Sequence, residues 1–396
     1  MDLTIQPGKL SGRIGVIPSK SQAHRLLICA AFADRQTRLI CSQTNQDIEA
    51  TADCLRALGA YIQRSDDGYT VDPVRELPES ALLNCRESGS TLRFMLPIAG
   101  ALGVDTRFHM EGRLPKRPLS PLWEEMERMG CTLARPSENT IRCQGRLRPG
   151  QYRIDGSVSS QFITGLLLAL PLLEGRSSLI VTGKTESRPY IDLTYQAMAL
   201  FGVDANLPGT GTYRSPGNLR VEGDWSNGAF WLTASSLGSA LAVENLDPLS
   251  VQGDRAAAEW IPALSMESLT VSAADIPDLV PILSVAAASK NGAVFTDIRR
   301  LRLKESDRVA STVALIEGLG GKAEATEDTL TVYGTGLTGG TVDSVNDHRI
   351  AMSAAIAATV CVGPVTILGA ECVKKSYPTF WEEYKRLGGQ YEQHIR

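Results

Sequence analysis

The stretch 128-RMGCTL-133 closes a helix-like pattern and opens a strand-like one within a few residues. The same change recurs at 56-RALGAYI-62, 200-LFGVDA-205, 318-GLGGKA-323 and 386-RLGGQY-391. Each copy places an apolar residue before a glycine, which reads as a left-handed cap ending a helix. The copies lie roughly 70 residues apart, except for one gap nearly twice as long. There 255-RAAAEWIPALSMESLTV-271 supplies a sixth copy without the glycine.

A second series of helices, apolar and rich in small residues, precedes these, opening at Lys20, Ser88, Val158, Ser226, Ile276 and Asp347. Each is followed by a strand pattern, the second helix and usually two more short strands, which makes a βαβαββ unit present six times. The expected class is α/β, with two domains of three units each. The first strand-like stretch, 3-LTIQPG-8, has no unit of its own and can complete the last one, which is a strand short. The expected division is therefore a discontinuous domain, residues 1–18 plus 225–396, and a continuous one, residues 19–224. The crossovers fall near 15-GVIPSK-20 and 222-EGDWSNG-228.

Bulk composition narrows the function. The 396 residues are 43% apolar and 21% charged, an ordinary globular balance. A net charge of −4 and a pI near 5.7 argue against nucleic-acid binding by bulk electrostatics. Eight scattered cysteines and four distant histidines show no zinc-site spacing, and the cysteines read as core residues of a reducing compartment. The N-terminus lacks an apolar signal core, and 166-LLLALPLL-173 is too short to span a bilayer. A soluble cytoplasmic protein with no membrane partner is expected.

Reactive residue types gather at the helix openings and in the loops before the second helices. The segments are 19-SKSQAHR-25, 87-ESGSTLR-93, 112-GRLPKRP-118, 157-SVSSQ-161, 187-SRPY-190, 275-DIPD-278, 304-KESDR-308, 346-NDHR-349 and 373-VKKSYP-378. In the first, Ser19 or Ser21 can cap the helix, but Lys20 and Arg25 then sit near the positive end of its dipole. An anion between them would remove that conflict. Bland readings stand beside the functional ones. Lys304 and Arg308 form a like-charged i,i+4 pair that suits a solvated face, Asp278 suits a helix start, and the serines of 157-SVSSQ-161 suit a cap. A locally basic site on an acidic protein points to small, multiply anionic substrates. Two motifs fail on context: 334-GTGLTGG-340 leads into a strand pattern rather than a helix, and 183-GKT-185 lacks the glycine of a phosphate loop.

Taken in order, these segments resemble the 5-enolpyruvylshikimate-3-phosphate synthase (3-phosphoshikimate 1-carboxyvinyltransferase) family, from 18-PSKSQAHR-25 to 375-KSYPTFWEEYKRLG-388. S-V-S-S-Q-F, K-E-S-D-R and N-D-H-R-x-A-M together carry the resemblance. It implies an enolpyruvyl transferase-like inverted α/β barrel with the active site in the interdomain cleft, and a monomer without metal or cofactor. It also implies transfer of the enolpyruvyl group of phosphoenolpyruvate to the 5-hydroxyl of shikimate 3-phosphate, with release of phosphate, on the route to chorismate and aromatic amino acids.

The resemblance extends to single residues. Lys20 matches the lysine touching both substrates, and Ser21 and Arg25 match the pair holding shikimate 3-phosphate. Gly89 matches the glycine packed against phosphoenolpyruvate. Arg113, Arg308, Arg349 and Lys375 match the basic residues around that substrate. Ser159, Ser160, Gln161, Ser187 and Lys304, with Tyr190 added, match shikimate-phosphate contacts. Asp278 matches the proton acceptor and Glu305 a carboxylate beside the reacting carbons. The division of acid work between Glu305 and Lys20 is left open. Glu87, Ser90 and Arg300 depart from residues common in the family. The nearest rival is the enolpyruvyl transferase acting on UDP-N-acetylglucosamine, whose mobile loop carries a reactive cysteine; 111-EGRLPKRPLSP-121 has none. A protein that only binds phosphorylated metabolites is the alternative from another class.

Overall fold

The computed structural model describes residues 1–204 and 211–394. The chain divides into two compact units, Met1–Ile17 with Gly223–Arg396, and Pro18–Glu222. Each has its own apolar core.

In Pro18–Glu222 the inner helices are Lys20–Ala31, Gly89–Leu102 and Ser160–Ala169. Ser19, Ser88 and Ser159 cap them, each side chain accepting a backbone N–H of the first turn. Capping in the 18-PSKSQ-22 stretch thus falls to Ser19. In the other unit the inner helices are Trp225–Ser236, Val280–Ala288 and His348–Ala357. Asp224 and Asp347 cap the first and last, whereas the middle one has proline in its first turn.

The second helices end as the glycine pattern predicts. Gly59, Gly130, Gly202, Gly320 and Gly388 all have positive φ. At Gly320 the bonding is of the Schellman kind: Gly320 N–H donates to Glu317 O and Gly321 N–H to Ile316 O, at 2.9 Å each. The helix Ala257–Met266 ends instead at Glu267 in an extended conformation, as its missing glycine requires.

Among the described residues, each unit contains two four-stranded sheets and one two-stranded sheet. A complete repeat runs Ser80–Asn84, Gly89–Leu102, Asp105–His109, Leu122–Arg128, Cys131–Ser137 and Thr140–Gly145. Its first two strands pair in parallel and the others antiparallel. Strand Asp2–Gln6 pairs with both Val365–Leu368 and Gln390–His394, and so completes the last repeat. Two repeats depart from the pattern. The parallel pairs Gln151–Asp155 with Ser178–Thr182, and Ser11–Gly15 with Ala240–Glu244, stand as two-stranded sheets. The strands after their second helices, Asn218–Arg220 and Leu269–Ser272, pair into neighbouring four-stranded sheets. Of the strand-like stretch after Gly202, Val203 and Asp204 are not in a strand, and Ala205 lies outside the described residues. No helix among the described residues is long and apolar enough to cross a membrane.

One close approach holds two inner helices together. Pro97 lies inside Gly89–Leu102 and has no N–H to give to the carbonyl of Arg93, four residues earlier. Gly165 of Ser160–Ala169 lies against that carbonyl, and a Cβ there would stand 2.2 Å from Arg93 O. Backbone cannot yield as a flexible side chain does. Gly165→Ala is therefore expected to cost about 1–3 kcal/mol, as overpacking does, in denaturant unfolding. Gly8→Ala, where a Cβ meets nothing within 4 Å, should stay within about 0.5 kcal/mol of the parent.

Candidate active site

In Pro18–Glu222, Lys20 stands in the first turn of its helix and pairs with Asp47 at 2.9 Å, both side chains 17% exposed. Asp47 is thus the anion that eases the lysine's place near the helix start. Arg25, one turn on, faces a different surrounding. It is 2% exposed and donates to Thr194 Oγ1 at 2.8 Å, Ser21 O at 2.6 Å, Thr164 Oγ1 at 3.2 Å and Tyr190 O at 2.9 Å. These bonds tie three helices together, and they use four of the five N–H groups a guanidinium carries. With neutral acceptors only, burial lowers the Arg25 guanidinium to about 10.

The helix starting at Gly89 presents a second cluster. Gly89 is buried, and a Cβ there would come within 2.5 Å of Arg117 Nη1 and 2.9 Å of Arg93 Nη1. The glycine is needed for close approach by two guanidinium groups. Arg93 donates to Gln161 Oε1 at 2.8 Å and Pro118 O at 3.1 Å, while Gln161 Nε2 donates to Ser90 Oγ at 3.0 Å. Ser159 and Ser160 open the helix that carries Gln161, and buried Ser187 opens Arg188–Leu200 with a left-handed backbone. Arg113 is exposed at the head of a short turn, Leu114–Lys116. The guanidinium brought to Gly89 belongs to Arg117, four residues further along the same loop.

In the other unit, charge gathers on Arg308, which is 1% exposed. It meets Asp278 at 2.7 Å, Glu305 at 2.6 Å and Asp347 at 3.0 Å. These carboxylates raise Arg308 above its ordinary value against the opposing effect of burial. Asp278 also takes Arg349 on Oδ2 at 2.9 Å and Lys304 on Oδ1 at 3.5 Å. Burial lowers Lys304 below its ordinary value while Asp278 acts against it. The like-charged pair Lys304 and Arg308 is thereby resolved on one carboxylate.

Asp347, fully buried, caps the helix bearing Arg349 and accepts from Ser306 as well. The residues before it are forced: Val345 has φ 45 and Asn346 φ 60, and a β-branched residue rarely adopts that backbone. The bend lets Asn346 O receive Lys375 Nζ at 3.1 Å. This arrangement can hold anionic groups on several cations and move a proton at Asp278.

The unit Met1–Ile17 with Gly223–Arg396 thus brings Asp278, Lys304, Glu305 and Arg308 together with Arg349. Sequence reasoning missed Asp47, Arg93, Arg117 and Asp347 as contributors. Arg93, Arg117 and Asp347 lay inside quoted motifs; nothing in the sequence marked Asp47 beyond its charge.

The family model for EPSP synthase (3-phosphoshikimate 1-carboxyvinyltransferase) matches residues 5–384. A 3-phosphoshikimate 1-carboxyvinyltransferase of Clostridium kluyveri is 36% identical, over 99% of this chain and 98% of its own. One from Clostridium perfringens is 38% identical over 97% and 98%. The structure is similar to an EPSP synthase from Acinetobacter baumannii, with TM-score 0.81 and 25% identity, covering 99% of this chain and 100% of that one.

The charge cluster makes one prediction independent of any ligand. Arg308→Met keeps much of the volume but leaves Asp278, Glu305 and Asp347 without their shared cation. Folding stability should fall by about 3–5 kcal/mol, the cost of breaking a buried pair, measured by urea unfolding.

Proposed function

The chain belongs to the EPSP synthase family, and on that footing we propose how its residues divide the work of the reaction. The protein is a transferase of the shikimate pathway: it moves the enolpyruvyl group of phosphoenolpyruvate to the 5-hydroxyl of shikimate 3-phosphate and releases phosphate. The observation that supports the assignment of roles is Asp278, a half-sheltered carboxylate facing three cations.

Each substrate brings a phosphate and a carboxylate, so charge-assisted donors are needed in number. We assign Arg308, Arg349 and Lys375, with Gly89 and Arg113, to phosphoenolpyruvate, and add Arg117, because its guanidinium lies at Gly89. Ser21, Arg25, Ser159, Ser160, Gln161, Ser187 and Lys304 are assigned to shikimate 3-phosphate, and Lys20 to both. Arg25 contributes mainly by fixing Ser21 and the helix starts, since most of its N–H groups are already engaged.

Both Asp278 oxygens accept from cations. Anionic substrate oxygens would draw off Arg349 and Lys304, while buried Arg308 stays. Asp278 can then take the proton of the 5-hydroxyl as its oxygen bonds to C2 of phosphoenolpyruvate. Glu305 or Lys20 protonates the methylene carbon. The return transfers remove a proton from that carbon as the C2–O bond to phosphate breaks. We further propose a monomer, as the resemblance implies, and a reducing cytoplasmic setting, which eight free and buried cysteines suit.

Phosphate release should follow from phosphoenolpyruvate with shikimate 3-phosphate and not with UDP-N-acetylglucosamine; turnover of the nucleotide sugar alone would overturn the acceptor, and tight binding of shikimate 3-phosphate without turnover would favour a binding protein. Asp278→Asn preserves shape and removes the base. Its kcat should drop by roughly 10²–10⁴-fold, with a much smaller change in affinity for shikimate 3-phosphate. Normal turnover would reduce Asp278 to a structural carboxylate.

A further inference from the structure

We propose that His24 is a positioning residue for the helix start at Gly89: as the neutral Nδ1–H tautomer it sets the direction of a buried chain of hydroxyls that ends on that helix's cap. The proposal rests on the reading of Gly89 as part of the phosphoenolpyruvate site. His24 stands one turn after Lys20 in Lys20–Ala31 and is fully buried. Its ring meets that of Phe94 edge to face, 6.2 Å between centres, which holds the plane of the imidazole.

The chain runs through three helices. His24 Nδ1 lies 2.7 Å from Thr51 Oγ1 of Gln46–Ala57, and Thr51 Oγ1 lies 2.8 Å from Thr91 Oγ1 of Gly89–Leu102. The Thr91 hydroxyl then donates to Ser88 Oγ at 2.8 Å, with Asp47 O as a second, longer acceptor at 3.4 Å. Ser88 Oγ also takes the Thr91 backbone N–H at 3.2 Å, the bond that caps the helix.

Counting protons fixes the direction. A threonine hydroxyl has one proton to give. Thr91 spends its proton on Ser88, so it accepts from Thr51. Thr51 spends its own on Thr91, so it accepts from His24. The ring must therefore carry its proton on Nδ1. The other nitrogen agrees. Nε2 is buried and meets no partner; in this tautomer it is a bare acceptor, whereas an imidazolium would bury an unpaired N–H and a charge together. Burial holds His24 well below its ordinary value, and Lys20 and Arg25 on its own helix push the same way. The groups it meets from the other two helices, Thr51 and Phe94, carry no charge.

The opposite tautomer would reverse every hydroxyl. Thr51 would donate to Nδ1 and Thr91 to Thr51, and Ser88 Oγ would lose one of its two donors. The cap would then hold by the backbone N–H alone, in the turn that carries Gly89 and Ser90. His24 thus acts on the helix start through two hydroxyls rather than by contact with a substrate.

The test is the pair His24→Asn and His24→Leu. The asparagine amide nitrogen stands where Nδ1 stands and can donate to Thr51; leucine fills space and cannot. His24→Leu should raise KM for phosphoenolpyruvate about three- to ten-fold, with kcat and KM for shikimate 3-phosphate within about two-fold. His24→Asn should keep that KM within about two-fold of the parent. Thr51→Val cuts the same chain one link on and should reproduce the change, while combining it with His24→Leu should add little to either. Unchanged KM in His24→Leu and Thr51→Val would overturn the proposal, and so would a folded His24→Asn that keeps the raised KM.

Nitrogen-15 NMR of protein labelled in histidine gives a readout that needs no substrate. One ring, identified by its loss in His24→Asn, should carry its proton on Nδ1 throughout about pH 5.5 to 8.5. A proton on Nε2, or a ring that charges in that range, would overturn the proposal whatever the activity. This readout and Thr51→Val stand even if His24→Leu does not fold. If the parent releases no phosphate from its two substrates, the functional reading fails instead, and the spectrum still judges the tautomer.

Discussion

A guanidinium cannot give up its charge when it is buried, and Arg308 is buried almost completely. Everything around it follows from that constraint. Three carboxylates must come to it, and Asp278 and Asp347 are engaged elsewhere as well. Asp278 also holds Arg349 and Lys304, Asp347 caps a helix, and Glu305 binds Arg308 back across one turn. The helix start at His348 and the charge cluster therefore cannot form separately. Replacing Asp347 would undo a cap and unbalance a buried cation in one step.

The unit Pro18–Glu222 handles its buried arginines by another route. Arg25 and Arg93 donate to hydroxyls, carbonyls and a side-chain amide, with aromatic faces beneath them at 5.1 Å from Phe94 and 5.5 Å from Phe162. Neutral partners fix geometry without cancelling charge, so the positive field of the helix starts survives. In the other unit the positive charges are already matched by acids. Arg25 keeps a charge that no acid matches, whereas Lys304, Arg308 and Arg349 each meet a carboxylate.

The repeat was legible because a helix end with glycine is a local event, settled by φ and by two backbone bonds. Local patterning also revealed that the strand near the N-terminus lacked a unit. It did not reveal that Asn218–Arg220 and Leu269–Ser272 join neighbouring sheets, since alternation specifies a face and not a partner. The candidate site divides in the same way. Lys304, Glu305 and Arg308 could be found because they are contiguous. Arg113 and Arg117 could not be ranked, because a proline-containing loop has no periodicity from which to read direction.

The strand pairing of Asp2–Gln6 with Gln390–His394 matters for synthesis as well as for architecture. A chain leaving the ribosome offers Asp2–Gln6 hundreds of residues before either partner strand has been translated. The continuous unit Pro18–Glu222 closes without it, so it can become compact while the nascent chain is still growing. The opening segment must wait meanwhile, with Leu3 and Ile5, both fully buried in the finished fold, exposed to other partners. The topology thus sets an inside-out order of completion: Pro18–Glu222 has all its strands before the sheet that takes up Asp2–Gln6 can be finished.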